Sequence, residues 1–232
     1  MSNNDLEAKN SKYKITRLED TILNENEKIH KVIIIGDSAV GKTSLSYMAT
    51  KGLFLEQSKA TIGFDIFNYV AKINDVIIKL QIWDTCGLEE FNSCTTSLYK
   101  DASLAIVVYS IVNHKTFDNV PNWVNLVKKH ASPETLIFLV GNKSDLENER
   151  QVSKEDSKQI KEEQKFEFFT ETSAKDNIYV QELFQEAIIH LYEKYKLYEN
   201  EGDKKKEDLT QKKEKTVLNK NNHKKNKKRK IC

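Results

Sequence analysis

The stretch GDSAVGKT, Gly36 to Thr43, constrains the fold more than any other part of the chain. It fits the pattern GxxxxGK[ST], follows the apolar run KVIII (31–35) and leads into a segment of helical period over 42–51. A buried strand that turns through a glycine loop directly into a helix is a fragment of an α/β sheet, with the loop at the carboxyl edge. In such a loop, glycines let backbone N–H groups curl around a β-phosphate. The lysine reaches the β and γ oxygens, and the following hydroxyl ligates Mg²⁺. Lys42 and Thr43 are the residues at those two positions.

The rest of the chain agrees with this fragment. LAIVVY (104–109) and LIFLV (136–140) lack polar alternation, as expected of strands buried on both faces. Helical periods run over 88–100, 114–130, 153–164 and 178–196, the last with Val180, Leu183, Phe184, Ala187, Ile188 and Leu191 on one stripe. FDIFNYVAKI and VIIKLQIWD, joined by ND, read as a hairpin. Residues 15–23 read as a short frayed helix. The expected fold is α/β, with a six-stranded, mostly parallel sheet, one antiparallel edge strand and helices on both faces.

Only Pro121 and Pro133 are prolines, so no proline-rich linker divides the 232 residues, and 38% apolar residues suffice for one packed core. Charge is unevenly placed. Residues 203–232 carry 13 Lys and Arg against 4 Asp and Glu, whereas the remainder carries 24 against 31. The organisation expected is a polar extension (1–29), one domain (30–198) and a basic tail (199–232) too poor in apolar residues to order itself. Cys86, Cys94 and Cys232 are too scattered for a disulfide framework or a zinc site. With no signal pattern at the N-terminus and no apolar run long enough to span a bilayer, a cytosol-facing chain is expected.

A phosphate loop alone does not choose the base. GNKSD, Gly141 to Asp145, follows the LIFLV strand and so falls at the same sheet edge. Asp145 can accept from the N1–H and 2-amino group of guanine, a donor pair that adenine does not present. Lys143 can lie along the base, and Asn142 can tie this loop to the phosphate loop. In ETSAK (171–175) the backbone N–H of Ala174 can meet the guanine O6, with Ser173 and Lys175 beside it.

With these motifs in this order, the sequence resembles the Ras superfamily of small GTPases, and within it the Rab branch, over about residues 30–196. The resemblance implies binding of GTP or GDP with Mg²⁺ and hydrolysis of GTP. Its nucleotide contacts would be Asp37, Ser38, Ala39, Val40, Gly41, Lys42, Thr43, Ser44, Phe54, Thr61, Asp84, Gly87, Asn142, Lys143, Asp145, Ser173, Ala174 and Lys175. Thr43 and Thr61 would ligate the metal, and Asp84 would hold it through water. Lys42, Thr61 and the Gly87 N–H would act on the γ-phosphate. Exchange factors, activating proteins of the TBC type and effectors would engage residues 54–68 and 86–100. The aromatic cluster that effectors of many Rabs read is reduced here to Trp83, with Ile66 and Leu98 at the other two positions. A monomer without a nucleic-acid partner is expected, marking an internal membrane for vesicle traffic from its cytosolic face.

Two departures stand out. In WDTCGLEEF (83–91) the residue that would orient the attacking water through a side-chain amide is Leu88, so hydrolysis is expected to be very slow and partner-dependent. The alternative is a GTP-held interaction scaffold. Cys86, where the family commonly has alanine, reads as a packing residue. The tail ends KNNHKKNKKRKIC with one cysteine, Cys232, which would carry a prenyl group. Basic residues would add to that anchor at an anionic leaflet. The other reading of the tail is a solubilising segment, or a nuclear-localisation or nucleic-acid patch.

Overall fold

The computed structural model describes residues 12–19, 28–56, 61, 63–86 and 95–197. Among these residues there are seven strands: β1 (Ile15–Leu18), β2 (Lys28–Ile35), β3 (Phe64–Ile73), β4 (Val76–Thr85), β5 (Leu104–Ser110), β6 (Leu136–Asn142) and β7 (Phe168–Thr172). They form one sheet in the order β1-β3-β4-β2-β5-β6-β7. From β4 through β7 all neighbours are parallel. The hairpin β3–β4 is antiparallel in the register Phe64↔Thr85 to Ile73↔Val76. Asn74, with φ 52, supplies the left-handed residue its tight turn needs.

The α/β, mostly parallel architecture is the expected one, with one strand more. Residues 15–18 are not helical but a strand, pairing antiparallel with β3 from Ile15↔Ile73 to Leu18↔Val70. Four residues carry too little pattern to announce a strand. Their stability comes from the outer edge of β3, whose N–H and C=O groups they pair. β3 is therefore interior over Val70–Ile73, and the antiparallel edge strand is β1. The sheet reaches into what reads in sequence as a polar extension, since residues 15–18 and 28–29 belong to it.

The helices are α1 (Lys42–Lys51), α2 (Thr95–Tyr99), α3 (His114–Asp118), α4 (Val120–His130), α5 (Lys154–Gln164) and α6 (residues 180–191). The single period over 114–130 is two helices. Pro121 lacks the N–H that would continue the ladder and instead occupies the first turn of α4, with Asn119 at the break. Of the period over 88–100, residues 95–99 are helical and 88–94 lie outside the described residues.

Helices cover both faces of the sheet. Ile33, Ile35, Ala105, Val107, Tyr109 and Leu139 pack with Phe117, Trp123, Val124, Val127 and Ile160. Strand neighbours point the opposite way. Phe138 meets His190 of α6 at 5.1 Å between ring centroids, and Tyr69 stacks on Phe184 at 5.5 Å. The stripe Val180, Leu183, Phe184, Ala187, Ile188 and Leu191 is buried. The chain divides into two units, residues 1–191 and 192–232; of the second, residues 192–197 are described and helical. No helix among the described residues is long and apolar enough to cross a membrane.

Candidate nucleotide site

The phosphate loop leaves β2 at the carboxyl edge of the sheet, where β4 and β5 flank it. Gly36 (φ 142) lies so close to β5 that a Cβ would stand 2.1 Å from the Val108 carbonyl oxygen. Gly41 (φ 98) faces Asn142, whose Nδ2 would be 2.2 Å from a Cβ there. Both glycines are thus required by backbone conformation and by close approach. Helix α1 begins directly after Gly41 with no side-chain cap and no acidic residue in its first turn. Its first N–H groups and the positive end of its dipole therefore stay available to an anion.

Lys42 is buried, and its Nζ donates to the Gly36 and Asp37 carbonyl oxygens at 2.8 and 2.7 Å. Burial lowers the ammonium to about 8, opposed by the charges of Asp84 and then Asp37. Thr43 donates its hydroxyl to Asp84 Oδ2 at 2.6 Å, so Thr61, 2.8 Å away, must donate to Thr43. Burial pushes the Asp84 carboxyl up to about 6, against the Thr43 hydrogen bond and the Lys42 charge. Its Oδ1 is buried without a hydrogen-bond partner among the described residues.

On the base side, Asn142 is a three-way junction. Its Nδ2 donates to the Val40 carbonyl at 2.9 Å, and its Oδ1 accepts from the Thr172 hydroxyl at 3.1 Å and the Ala174 N–H at 3.3 Å. Lys143 adopts φ 72, which turns the chain so that Asp145 faces the same cleft. Asp145 Oδ1 accepts from the Ser173 hydroxyl at 2.7 Å. Arg150 holds the following 3₁₀ segment, Ser144–Glu149, to the end of β7. It is bidentate to Glu171 at 2.8 and 2.7 Å and also bonds Glu147 at 3.0 and 2.7 Å.

These parts enclose a cleft of about 750 Å³. The structure brings Ser38, Ala39, Gly41, Lys42, Thr43, Ser44, Phe54, Thr61, Asn142, Lys143, Asp145, Ala174 and Lys175 to its wall. Asp37, Val40, Asp84 and Ser173 stand behind the wall, where they hold residues that form it. Gly87, Leu88 and Cys232 lie outside the described residues. Leu55, Glu56, Thr85, Cys86 and Leu146 also line the cleft. Each stood beside a signal: Leu55 and Glu56 follow Phe54, Thr85 and Cys86 lie in WDTCG, and Leu146 is adjacent to Asp145 at the base end.

The donor set fits the expected ligands. Two hydroxyls beside a carboxylate with an unpartnered oxygen make a hard-oxygen site suited to Mg²⁺. Among the described residues there is no cluster of His, Cys, Asp and Glu that would favour a transition metal. The uncapped α1 N-terminus and the glycine cradle suit phosphates, and an acidic side chain beside Lys143 suits a base that donates twice.

Next to the cleft, Phe64 stacks on Trp83 at 4.9 Å and the Lys31 ammonium lies 4.4 Å from the Trp83 ring. Phe64, two residues from Ile66 and so on the same strand face, supplies the aromatic neighbour that position 66 lacks. Both are half exposed.

A sequence profile of the Ras family matches residues 31–193. The chain is 41% identical over 175 residues to Ras-related protein RABA6a of Arabidopsis thaliana, covering 75% of each chain. It is 40% identical over 164 residues to Ras-related protein Rab11B of Nicotiana tabacum, covering 71% of this chain and 75% of that one. It is also 40% identical over 167 residues to Ras-related protein Rab-12 of Mus musculus, covering 72% of this chain and 69% of that one. Ras-family small GTPases in general bind GTP and GDP with Mg²⁺ and hydrolyse GTP. With its phosphate loop, base loop and sheet order in place, this chain belongs to the Ras superfamily as a Rab-like small GTPase.

Proposed function

We propose that the chain is a guanine-nucleotide switch of intracellular membrane traffic. The observation that carries the reading is the joint placement of Lys42, Thr43 and Asp145 on one cleft. In this reading Lys42 neutralises the β and γ oxygens, and the backbone N–H groups of residues 38–44 cradle the phosphates. Thr43 and Thr61 would hold Mg²⁺, with Asp84 acting through water, and the ion when bound would supply positive charge against that of the phosphates. Phe54 packs against the guanine, whose edge Asp145 and Ala174 read. Gly87 would turn its N–H to the γ-phosphate, so that residues 54–68 and 86–100 answer to that phosphate and present themselves to effectors. Phe64 and Ile66, both exposed, with Trp83 stacked on Phe64, place an apolar patch on the described part of that surface, which suits a partner that buries aromatic and aliphatic groups there.

The sequence at 88 favours slow hydrolysis, because leucine has no group to orient a water. An activating protein of the TBC type would then supply an arginine and a glutamine in trans. A GTP-held scaffold is the second reading, resting on the same residue. The basic tail and a prenylated Cys232 would return the protein reversibly to the cytosolic face of an internal membrane.

Base choice tests the proposal most directly. The purified protein is expected to bind GDP and GTP far more tightly than ADP or ATP. Asp145→Asn should move its preference toward xanthosine nucleotides, since the new amide donates where the carboxylate accepted. Equal affinity for ATP and GTP would sink the assignment.

A further inference from the structure

Asp37 belongs to the phosphate loop by sequence, yet its side chain turns away from the cleft. Trp123 Nε1 donates to Asp37 Oδ1 at 2.7 Å and Asn119 Nδ2 donates to Asp37 Oδ2 at 2.8 Å. Asn119 is the break between α3 and α4, and Trp123, nearly fully buried, lies in the first turns of α4. Both donors come from one rigid turn. The Asn119 carbonyl accepts from the backbone N–H groups of Asn122 and Trp123 at 3.0 and 3.2 Å, and the indole packs in the core with Val120, Val124 and Ile111.

We propose that Asn119 and Trp123 are positioning residues for the nucleotide, acting through Asp37 as a tether between the α3–α4 turn and the phosphate loop. The inference rests on the guanine-nucleotide reading of the cleft. A carboxylate with both oxygens occupied by fixed donors cannot rotate, so the Cα of residue 37 is fixed in direction. The next two residues, Ser38 and Ala39, are exposed on the cleft wall and must turn their N–H groups inward. Ala39 holds φ 61, a left-handed conformation that a non-glycine residue seldom adopts unless its neighbours fix it. On the other side, the Asp37 carbonyl is held by Lys42. The loop is thus pinned from the cleft side by Lys42 and from the outer side by Asn119 and Trp123. Whatever shifts the α3–α4 turn is transmitted to the phosphates, which makes that turn a point from which nucleotide release can be controlled.

The test is the release rate of a fluorescent GDP from the full-length protein in Mg²⁺, for Asp37→Asn, Trp123→Phe and the double variant, with thermal unfolding measured beside it. Asp37→Asn sets an amide N–H against one of the two donors and should speed release roughly tenfold, the worth of one hydrogen bond to a charged group. Trp123→Phe keeps the packing, removes one donor and should speed release by about threefold to tenfold. In the double variant the amide oxygen introduced at position 37 can accept from Asn119 while the amide N–H₂ faces no donor, so release should be no faster than in Asp37→Asn alone. Losses that come from general destabilisation would multiply instead, and that outcome overturns the tether. So do single variants within twofold of the unaltered protein. If Trp123→Phe does not fold, Asn119→Ala in the same cycle decides the matter by the same criteria. An unaltered chain that binds no guanine nucleotide would overturn the functional reading and this inference with it; normal binding with unchanged release in the variants would overturn the tether alone.

Discussion

The hydroxyl of Thr43 donates to Asp84 across 2.6 Å, joining the first turn of α1 to the last residues of β4. The bond spans 41 residues of sequence and places a carboxylate with one buried oxygen, unpartnered among the described residues, beside two threonine hydroxyls. Among the described residues it is the one side-chain hydrogen bond that favours the ionised carboxylate, against a burial that still leaves it raised to about 6.

Thr43→Ala removes that donor along with a metal ligand. The Asp84 pKa should move higher still, so that at neutral pH more of it is protonated and Mg²⁺ must displace a proton to bind. GTP affinity at fixed Mg²⁺ should fall at least about tenfold, the worth of a charge-assisted hydrogen bond and one ligand. GDP, without a γ-phosphate for the metal to bridge, should lose less. A titration of nucleotide affinity against Mg²⁺ at about pH 6 and pH 8, on either side of neutrality, reads this, with the larger deficit expected at the lower pH. Equal loss for GTP and GDP at both pH values would show that the hydroxyl acts only on the fold.

Arg150 is mostly buried at 14% side-chain exposure, and its guanidinium serves two glutamates at once. The hydrogen bonds it donates to Glu171 and then Glu147 push the guanidinium above its ordinary value, so it stays charged at any working pH. Arg150→Lys keeps the charge but not the fork, and a lysine cannot be bidentate to Glu171 while reaching Glu147. About 1–2 kcal/mol of stability should be lost, a fall of roughly 2–8 °C in thermal midpoint for a domain of this size. The 3₁₀ segment after Asp145 would then loosen, and guanine nucleotides should dissociate faster. A variant with unchanged midpoint would place the bridge among surface pairs that contribute little.

The N-terminal strand makes a third prediction. Arg17 donates to the Thr50 carbonyl near the end of α1, and its guanidinium lies 5.1 Å from the centre of the Tyr69 ring on β3. One residue of β1 thereby links the β3–β4 hairpin to the helix that carries Lys42 and Thr43. Arg17→Ala should cost about 1 kcal/mol from the hydrogen bond and the ring contact together. Amide exchange of Val70–Ile73 should accelerate while that of β6 does not change. Uniform acceleration across the sheet would mean that β1 contributes to global stability rather than to this edge.

The residues that could be read in sequence are those whose role is set by local backbone. Gly36, Gly41, Lys42 and Thr43 lie within eight positions and declare a strand, a loop and a helix together. Asn142, Lys143 and Asp145 were readable because the preceding LIFLV run is a strand, which sends them to the same edge. The residues that could not be read depend on pairing at a distance. Ile15–Leu18 form a strand only because β3 offers an edge. Asn119 and Trp123 reach Asp37 across 82 and 86 residues, and nothing in TFDNVPNW announces a contact with GDSAVGKT. Asp37 itself shows the difference. Membership of the loop was plain from the motif, but the direction of its side chain is decided by a turn on another segment.

The last expectation concerns Leu88, two residues after Cys86 in the sequence. If the phosphate loop, the metal ligands and the base loop hold GTP correctly, the one element missing from the site is a group that aligns water. Leu88→Gln should then raise single-turnover hydrolysis by about tenfold or more, at least roughly 1.4 kcal/mol off the barrier. GTP affinity should stay where it was, because an amide that orients water acts in the transition state and not in the ground state. A TBC-type domain that carries its own glutamine should accelerate the unaltered protein as well, by supplying an arginine and the missing amide together. If neither change raises the rate, a second lesion exists in Cys86, Glu89 or Glu90, and the GTP-held scaffold is the better description. If the unaltered protein already hydrolyses GTP at the rate of Leu88→Gln, some other group positions the water, and the leucine has no bearing on turnover.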